Sequence, residues 1–215
     1  MSVRSGIFNN IITAVLEGES EQVIGLIEWG LKKGISAEAI LEVALIPAAN
    51  KFSEKYKGTD FFIPDVLFIT HAISAGFYTL EQSGIITNSF NNEKKVLLGT
   101  VEGDIHDIGK NIVSLFLQFK GFSVIDLGIN IKPHQFAEAI EQHKPHILAL
   151  SALLTTTLGE MTRVVKYLEK KHLRNSVKII VGGGPVTKDF ADSIGADGFA
   201  PNAQQAVQLA LKLVK

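Results

Sequence analysis

The chain has 215 residues, 46% of them hydrophobic and 20% charged, with a formal net charge of -1, which suits one large domain or two small ones around an ordinary core. It contains no cysteine, which excludes thiolate metal sites, thiol catalysis and disulfides, and its near-neutral charge argues against nucleic-acid binding driven by phosphate attraction. No apolar run reaches the length of a bilayer span, and Met1 to Asn10 lacks the basic stretch and apolar core of a secretion signal, so the expected location is the cytoplasm, away from membranes.

The first half carries a helical period. Ile7, Ile11 and Val15, with Phe8, Ile12 and Leu16, form one stripe. Ser20 is placed to cap a second helix that holds Val23, Ile24, Ile27 and Leu31 and stops at Gly34. Ser36 caps a third, whose apolar face is Ile40, Leu41, Ala44, Leu45 and Ala48. Pro47 falls inside that pattern, and because it has no N–H to donate, a kink or break is expected there. Pro64 suits the first turn of a fourth helix running to about Gln82. Short connections between four helices predict an antiparallel bundle over residues 1–88. The polar, asparagine-rich stretch from Ser83 to Asn92 reads as a linker.

Beyond it the rhythm changes. Lys95–Val101, Ser123–Leu127, Ile147–Ser151, Val177–Val181 and a short Gly198–Ala200 read as strands. Helical patterns lie between them at 108–120, 134–143, 157–171, 187–193 and 202–214. Strands alternating with helices predict a five-stranded parallel sheet, doubly wound in the Rossmann-like (flavodoxin-like) manner, over residues 93–215. The fold class is therefore α plus α/β.

The stretch Gly103-Asp104-Ile105-His106-Asp107-Ile108-Gly109 follows the first strand and opens a helix, which is where open α/β sheets place ligands. His106 offers an imidazole nitrogen there. Asp104 can hold the other ring nitrogen, as carboxylates do behind metal-bound histidines. Gly109 removes a side chain where a bulky ligand would approach the backbone. For an isolated Asp-x-His, the ordinary reading is a helix-capping aspartate and an exposed loop histidine. A metallophosphoesterase also opens on Asp-x-His, but it needs further ligand blocks downstream. His134, His143, His146 and His172 do not stand in such blocks. A dinucleotide loop needs Gly-x-Gly-x-x-Gly, and the spacing of Gly103 and Gly109 does not match it.

Asp104-x-His106-x-x-Gly109 resembles the signature of the cobalamin-binding domain found in methionine synthase, methylmalonyl-type mutases and small corrinoid proteins. The full Gly-Asp-Ile-His-Asp-Ile-Gly-Lys-Asn-Ile-Val run is most similar to the methyltransferase branch. Ser151-Ala152-Leu153 resembles the family's Ser-x-Leu at the third strand end, and Gly182-Gly183 its Gly-Gly after the fourth. Asp126-Leu127-Gly128 is also family-like. The resemblance implies a cobalamin or related corrinoid, with His106 as the axial ligand of cobalt in place of the cofactor's own base. It further implies that Asp104 bonds the other ring nitrogen and that Ser151 extends this relay. A displaced nucleotide tail would insert beside Gly182, Gly183 and Gly184, with Leu153 and Thr155 lining the slot. An ordinary tight turn would equally account for the glycines, and a local backbone bond for Ser151.

The run from Phe52 to Gly58, then Phe61-Phe62-Ile63-Pro64-Asp65-Val66-Leu67, resembles the helical cap that precedes the cobalamin domain in methionine synthase and small corrinoid proteins. Phe62 and Leu67 are the candidates for its apolar lid, with Phe61 and Val66 beside them. Simple bundle core is the commoner fate of such residues. The implied role is a methyl carrier without its own methyl-donor site. Its expected partners are a substrate-specific methyltransferase, a second methyltransferase to coenzyme M or tetrahydrofolate, and a reductive activase. The rival readings are a cobalamin-binding sensor module and the small subunit of an adenosylcobalamin mutase.

Overall fold

The computed structural model describes residues 3–55, 63–83 and 94–214. The chain divides into two compact units, Met1–Asn88 and Ser89–Lys215.

In the first unit, α1 (Val3–Leu16) and α5 (Ile63–Gln82) both pack on α2 (Ser20–Lys32). Ile11, Val15, Val23, Ile27, Ile73 and Leu80 are buried between the helices, as the stripe in the sequence requires. Ser20 does not cap α2. It is the first residue of that helix, and its hydroxyl bonds the His71 ring at 2.9 Å. Ser36 does cap α3 (Ala37–Ile40), accepting from the Ala39 amide.

No break occurs at Pro47. A π-helical turn, Leu41–Leu45, joins α3 to α4 (Ile46–Lys55) in one uninterrupted run. The Ile46 amide donates to the Leu41 carbonyl, five residues back. The wider turn shifts the hydrogen-bond register just before the proline, so the missing N–H leaves the helix intact. The candidate lid residues Phe61 and Phe62 lie outside the described residues. Val66 and Leu67 belong to α5 by backbone.

The second unit is a five-stranded, all-parallel sheet in the order β2-β1-β3-β4-β5. Its strands are β1 (Lys95–Thr100), β2 (Ser123–Asp126), β3 (Ile147–Ser151), β4 (Lys178–Gly182) and β5 (Gly198–Phe199). The crossovers are α6 (Ile108–Phe119), α7 (Pro133–His143), α8 (Leu158–Lys170) and α9 (Lys188–Ser193), with α10 (Ala203–Leu213) closing the chain. Phe136, Ile140, Met161, Val164 and Leu168 of α7 and α8 bury one sheet face with Leu97, Leu148, Leu150 and Ile179. On the other face α6 and α10 pack on each other and on β1, β2 and β4. Strands covered on both sides need apolar residues at every position, which is why β1 and β3 read as continuous apolar runs. The order reverses between β1 and β3, so the loops leaving these strands flank the crevice where such sheets bind ligands. Among the described residues no helix is long and apolar enough to cross a membrane.

Candidate functional site

The loop between β1 and α6 begins with a tight turn. Gly103 has φ +78, a conformation that disfavours any side chain, and the Asp104 amide returns to the Val101 carbonyl at 3.2 Å. This turn sends Asp104 inward, where it is fully buried, and leaves Ile105 70% exposed. The side chain of His106 is 45% exposed. From beneath, the Thr100 hydroxyl holds the His106 carbonyl at 3.0 Å.

Asp104 is satisfied on both oxygens. Oδ1 accepts from the His106 ring Nδ1 at 2.7 Å and the His106 amide at 3.1 Å. Oδ2 accepts from the Leu153 and Leu154 amides, at 2.7 and 3.2 Å, and from the Thr157 hydroxyl at 2.9 Å. Burial pushes the carboxyl pKa upward, but the Leu153 amide, the His106 ring and amide, and the Thr157 hydroxyl outweigh it. They hold the group well below the usual carboxylate range. An ionised carboxylate only accepts, so Nδ1 must carry the proton. The lone pair of the neutral ring is then on Nε2, which has no hydrogen-bond partner among the described residues.

Asp104 does not cap α6. The cap position belongs to Asp107, which makes no side-chain cap bond; its Oδ2 accepts from Asn111 at 3.2 Å. One turn into α6, the buried Lys110 pairs with Asp126 at the end of β2. Asp126 also accepts from the Gly128 amide at 2.8 Å, so the Asp-Leu-Gly run ties the start of α6 to the neighbouring strand. Gly109 is exposed, and a Cβ there would meet nothing within 4 Å among the described residues beyond its own turn of helix.

The signature residues beyond this loop fall into two groups. Leu153, 49% exposed at the end of β3, touches the site directly through its amide. With Ile105, Ile129 and Leu154 it forms a set of exposed apolar side chains on the loops at the carboxyl ends of β1, β2 and β3. Thr155 is exposed at the start of a 3-10 turn, Thr155–Thr157. Ser151 pairs with Thr100 and Gly182 through its backbone, but its hydroxyl makes no described bond to Asp104 or His106. The hydroxyl bonded to Asp104 is that of Thr157. The sequence offered Thr155-Thr156-Thr157 in a row, and only the 3-10 turn selects the third, by turning it inward.

The glycines also sort by cause. A Cβ on Gly183, at φ +133, would lie 1.8 Å from the Ala152 carbonyl oxygen, and one on Gly182 would lie 2.9 Å from the Ala200 oxygen. The protein's own backbone thus demands these two. A Cβ on Gly184 would press only on the flexible end of Leu153, at 3.3 Å, with the Leu153 carbonyl oxygen at an ordinary 4.0 Å, so its open face is available to a ligand.

Both units of the chain resemble known proteins. Two family models, each described as a B12 binding domain, match residues 7–81 and 94–208. A corrinoid protein of Desulfitobacterium hafniense (strain Y51) is 36% identical over 203 residues, covering 94% of each chain. The structure of the Methanosarcina barkeri monomethylamine corrinoid protein superposes with a TM-score of 0.84 at 28% identity, covering 98% of this chain and all of that one. A chain of the methanol:cobalamin methyltransferase complex from the same organism gives a TM-score of 0.55 at 25% identity, with 98% of this chain and 80% of that chain covered.

Proposed function

Because the chain belongs to the B12 binding domain family over both of its units, we propose that it is a methyl-carrying corrinoid protein that serves methyltransferases, with His106 as the lower axial ligand of cobalt. When bound, the corrinoid supplies the cobalt that takes up and gives back the methyl group, chemistry that no side chain here offers.

The residues present fit such a group. Among the described residues, no cluster of three or more His, Asp or Glu could by itself hold a metal ion. A single oriented imidazole therefore suits a metal that brings its remaining ligands in a macrocycle. The observation that carries the reading is the Asp104–His106 pair. A carboxylate kept ionised by five donors fixes the ring tautomer and leaves the Nε2 lone pair open to a ligand, which supports this reading. Ile105, Ile129, Leu153 and Leu154 supply apolar surface for the ring, and the open faces of Gly109 and Gly184 allow it and its tail to approach.

The chain's own residues then bind, orient and release. His106 is joined to the buried Asp104 but is itself half exposed, so it would hold the metal with Nε2 while its loop stays anchored through the carboxylate. The solved methanol:cobalamin methyltransferase complex supports a methyltransferase as the partner that loads the carrier. A second methyltransferase, to coenzyme M or tetrahydrofolate, and a reductive activase complete the proposed cycle.

The test is spectroscopic. Protein reconstituted with cobalamin and reduced to Co(II) is expected to show electron paramagnetic hyperfine splitting from one axial nitrogen. His106→Ala is expected to lose the splitting. Splitting that survives the substitution means that His106 is not the ligand.

A further inference from the structure

We infer that Asn130, in the loop between β2 and α7, is a positioning residue for cobalt ligation, because it braces the turn that delivers Asp104 and His106. The inference rests on the reading of His106 as the ligand. Asn130 grips that turn from both sides. Its Oδ1 accepts from the Gly103 amide at 2.7 Å, and its own amide donates to the Asp104 carbonyl at 3.0 Å.

The backbone of Asn130 is left-handed, at φ +56. That conformation is costly for most residues and tolerated by Asn, Asp and Gly. It lets one residue present its amide and its side-chain oxygen to the same turn. The bonds on either side show how this loop is laid along β1. The Thr100 amide donates to the Gly128 carbonyl at 3.0 Å, and the Ile131 amide to the Thr100 carbonyl at 3.0 Å. Val101 and Ile131 form a parallel bridge. Asn130 thus sits on a fixed rail, and the turn at Gly103 is held against it.

Gly103 and Asn130 are both exposed, so water can replace the Oδ1 bond at little cost in global stability. Orientation is what changes. Asp104 is pinned by β3 through the Leu153 and Leu154 amides, whereas His106 reaches the metal from a loop whose entry is set at Gly103. A ligand must be held within about 0.5 Å of its working position, and support behind it supplies that precision.

Two substitutions separate the side-chain acceptor from the backbone conformation. Asn130→Gly keeps the left-handed backbone and removes Oδ1. Asn130→Asp keeps an acceptor at the same place. In the full apoprotein, Asn130→Gly is expected to speed hydrogen exchange of the Gly103 amide about tenfold, a shift worth about 1.4 kcal/mol, and Asn130→Asp to restore protection. In the full chain loaded with cobalamin, the fraction of the Co(II) signal that carries axial-nitrogen splitting is expected to fall at least about twofold in Asn130→Gly, a smaller effect than the roughly tenfold to hundredfold loss on removing a group bonded to the ligand itself. Bound corrinoid per chain stays at the parent level, and Asn130→Asp recovers the splitting.

A parental splitting fraction in Asn130→Gly overturns the inference, as does an equal loss in the Gly and Asp variants. Loss of bound corrinoid in Asn130→Gly also counts against it, since Asn130 would then belong to the binding surface. The parent and His106→Ala are measured alongside. A parent without nitrogen splitting defeats the ligation reading itself, and the exchange data then report on the brace alone.

Discussion

Every donor to the Asp104 side chain points at a carboxylate oxygen that can only accept, which makes the charged form hard to imitate. In Asp104→Asn the amide nitrogen must face donors on whichever side it takes. Toward β3 it meets the Leu153 and Leu154 amides and the Thr157 hydroxyl. Toward His106 it forces the ring proton onto Nε2, which removes the ligating lone pair. The variant is expected to lose about 1–3 kcal/mol in urea unfolding of the apoprotein and most of its axial-nitrogen splitting, although His106 is still present. Thr157→Val removes one donor of five and is expected to cost about 1 kcal/mol, with Thr157→Ser near the parent. The pH dependence has a definite sign. Since the folded-state pKa of Asp104 is lowered, its contribution is present above the unfolded value of about 3.9 and is lost as pH falls toward the folded value. The stability gap between parent and Asp104→Asn, full at pH 7, is therefore expected to narrow below about pH 4. A gap that stays constant down to pH 2.5 would contradict this account of the carboxylate.

At the scale of elements, the end of β4 lies so close to the chain leaving β3 and β5 that two glycines, Gly183 against Ala152 and Gly182 against Ala200, are required for packing before any ligand is considered. Gly183→Ala combines a left-handed φ with a Cβ against the Ala152 carbonyl and is expected to destabilise the apoprotein by about 3 kcal/mol or more. Gly184→Ala presses only on a movable Leu153 methyl and is expected to stay within about 1 kcal/mol of the parent. Urea midpoints of the two variants decide between these causes; equal midpoints would remove the distinction. Gly184→Leu extends the comparison, since it is expected to fold yet bind corrinoid more weakly if the tail lies against that face. The helix from Ala37 to Lys55 makes a related point. One π turn absorbs a proline that periodicity alone treats as a break.

For the molecule as a whole, the partners that hold Asp104 and His106 among the described residues come from the second unit. The sheet there is covered on both faces by its own helices. Residues 92–215 alone are therefore expected to unfold in one cooperative transition and to bind one corrinoid per chain. Equilibrium binding of cobalamin to the fragment and to the full chain checks this. A folded fragment that fails to bind, while the full chain binds, would mean that the helical unit contributes an essential contact.

Sequence alone determined the order of helices and strands, the parallel sheet, and the three strand ends that carry the signature. These are local matters. Periodicity over ten residues decides whether a segment buries one stripe or two faces, and a glycine or histidine after a strand stays there however the loops settle. What the tertiary structure decided were contacts between residues far apart in the chain. Asp104 takes a hydroxyl from Thr157, 53 residues on, and the Gly103 amide is claimed by Asn130, 27 residues on. Gly183 is required by the carbonyl of Ala152, just past the neighbouring strand β3. Such pairings depend on strand register and on the turn each loop takes, and a side chain's reach of a few ångströms makes neighbouring candidates equivalent until those are fixed.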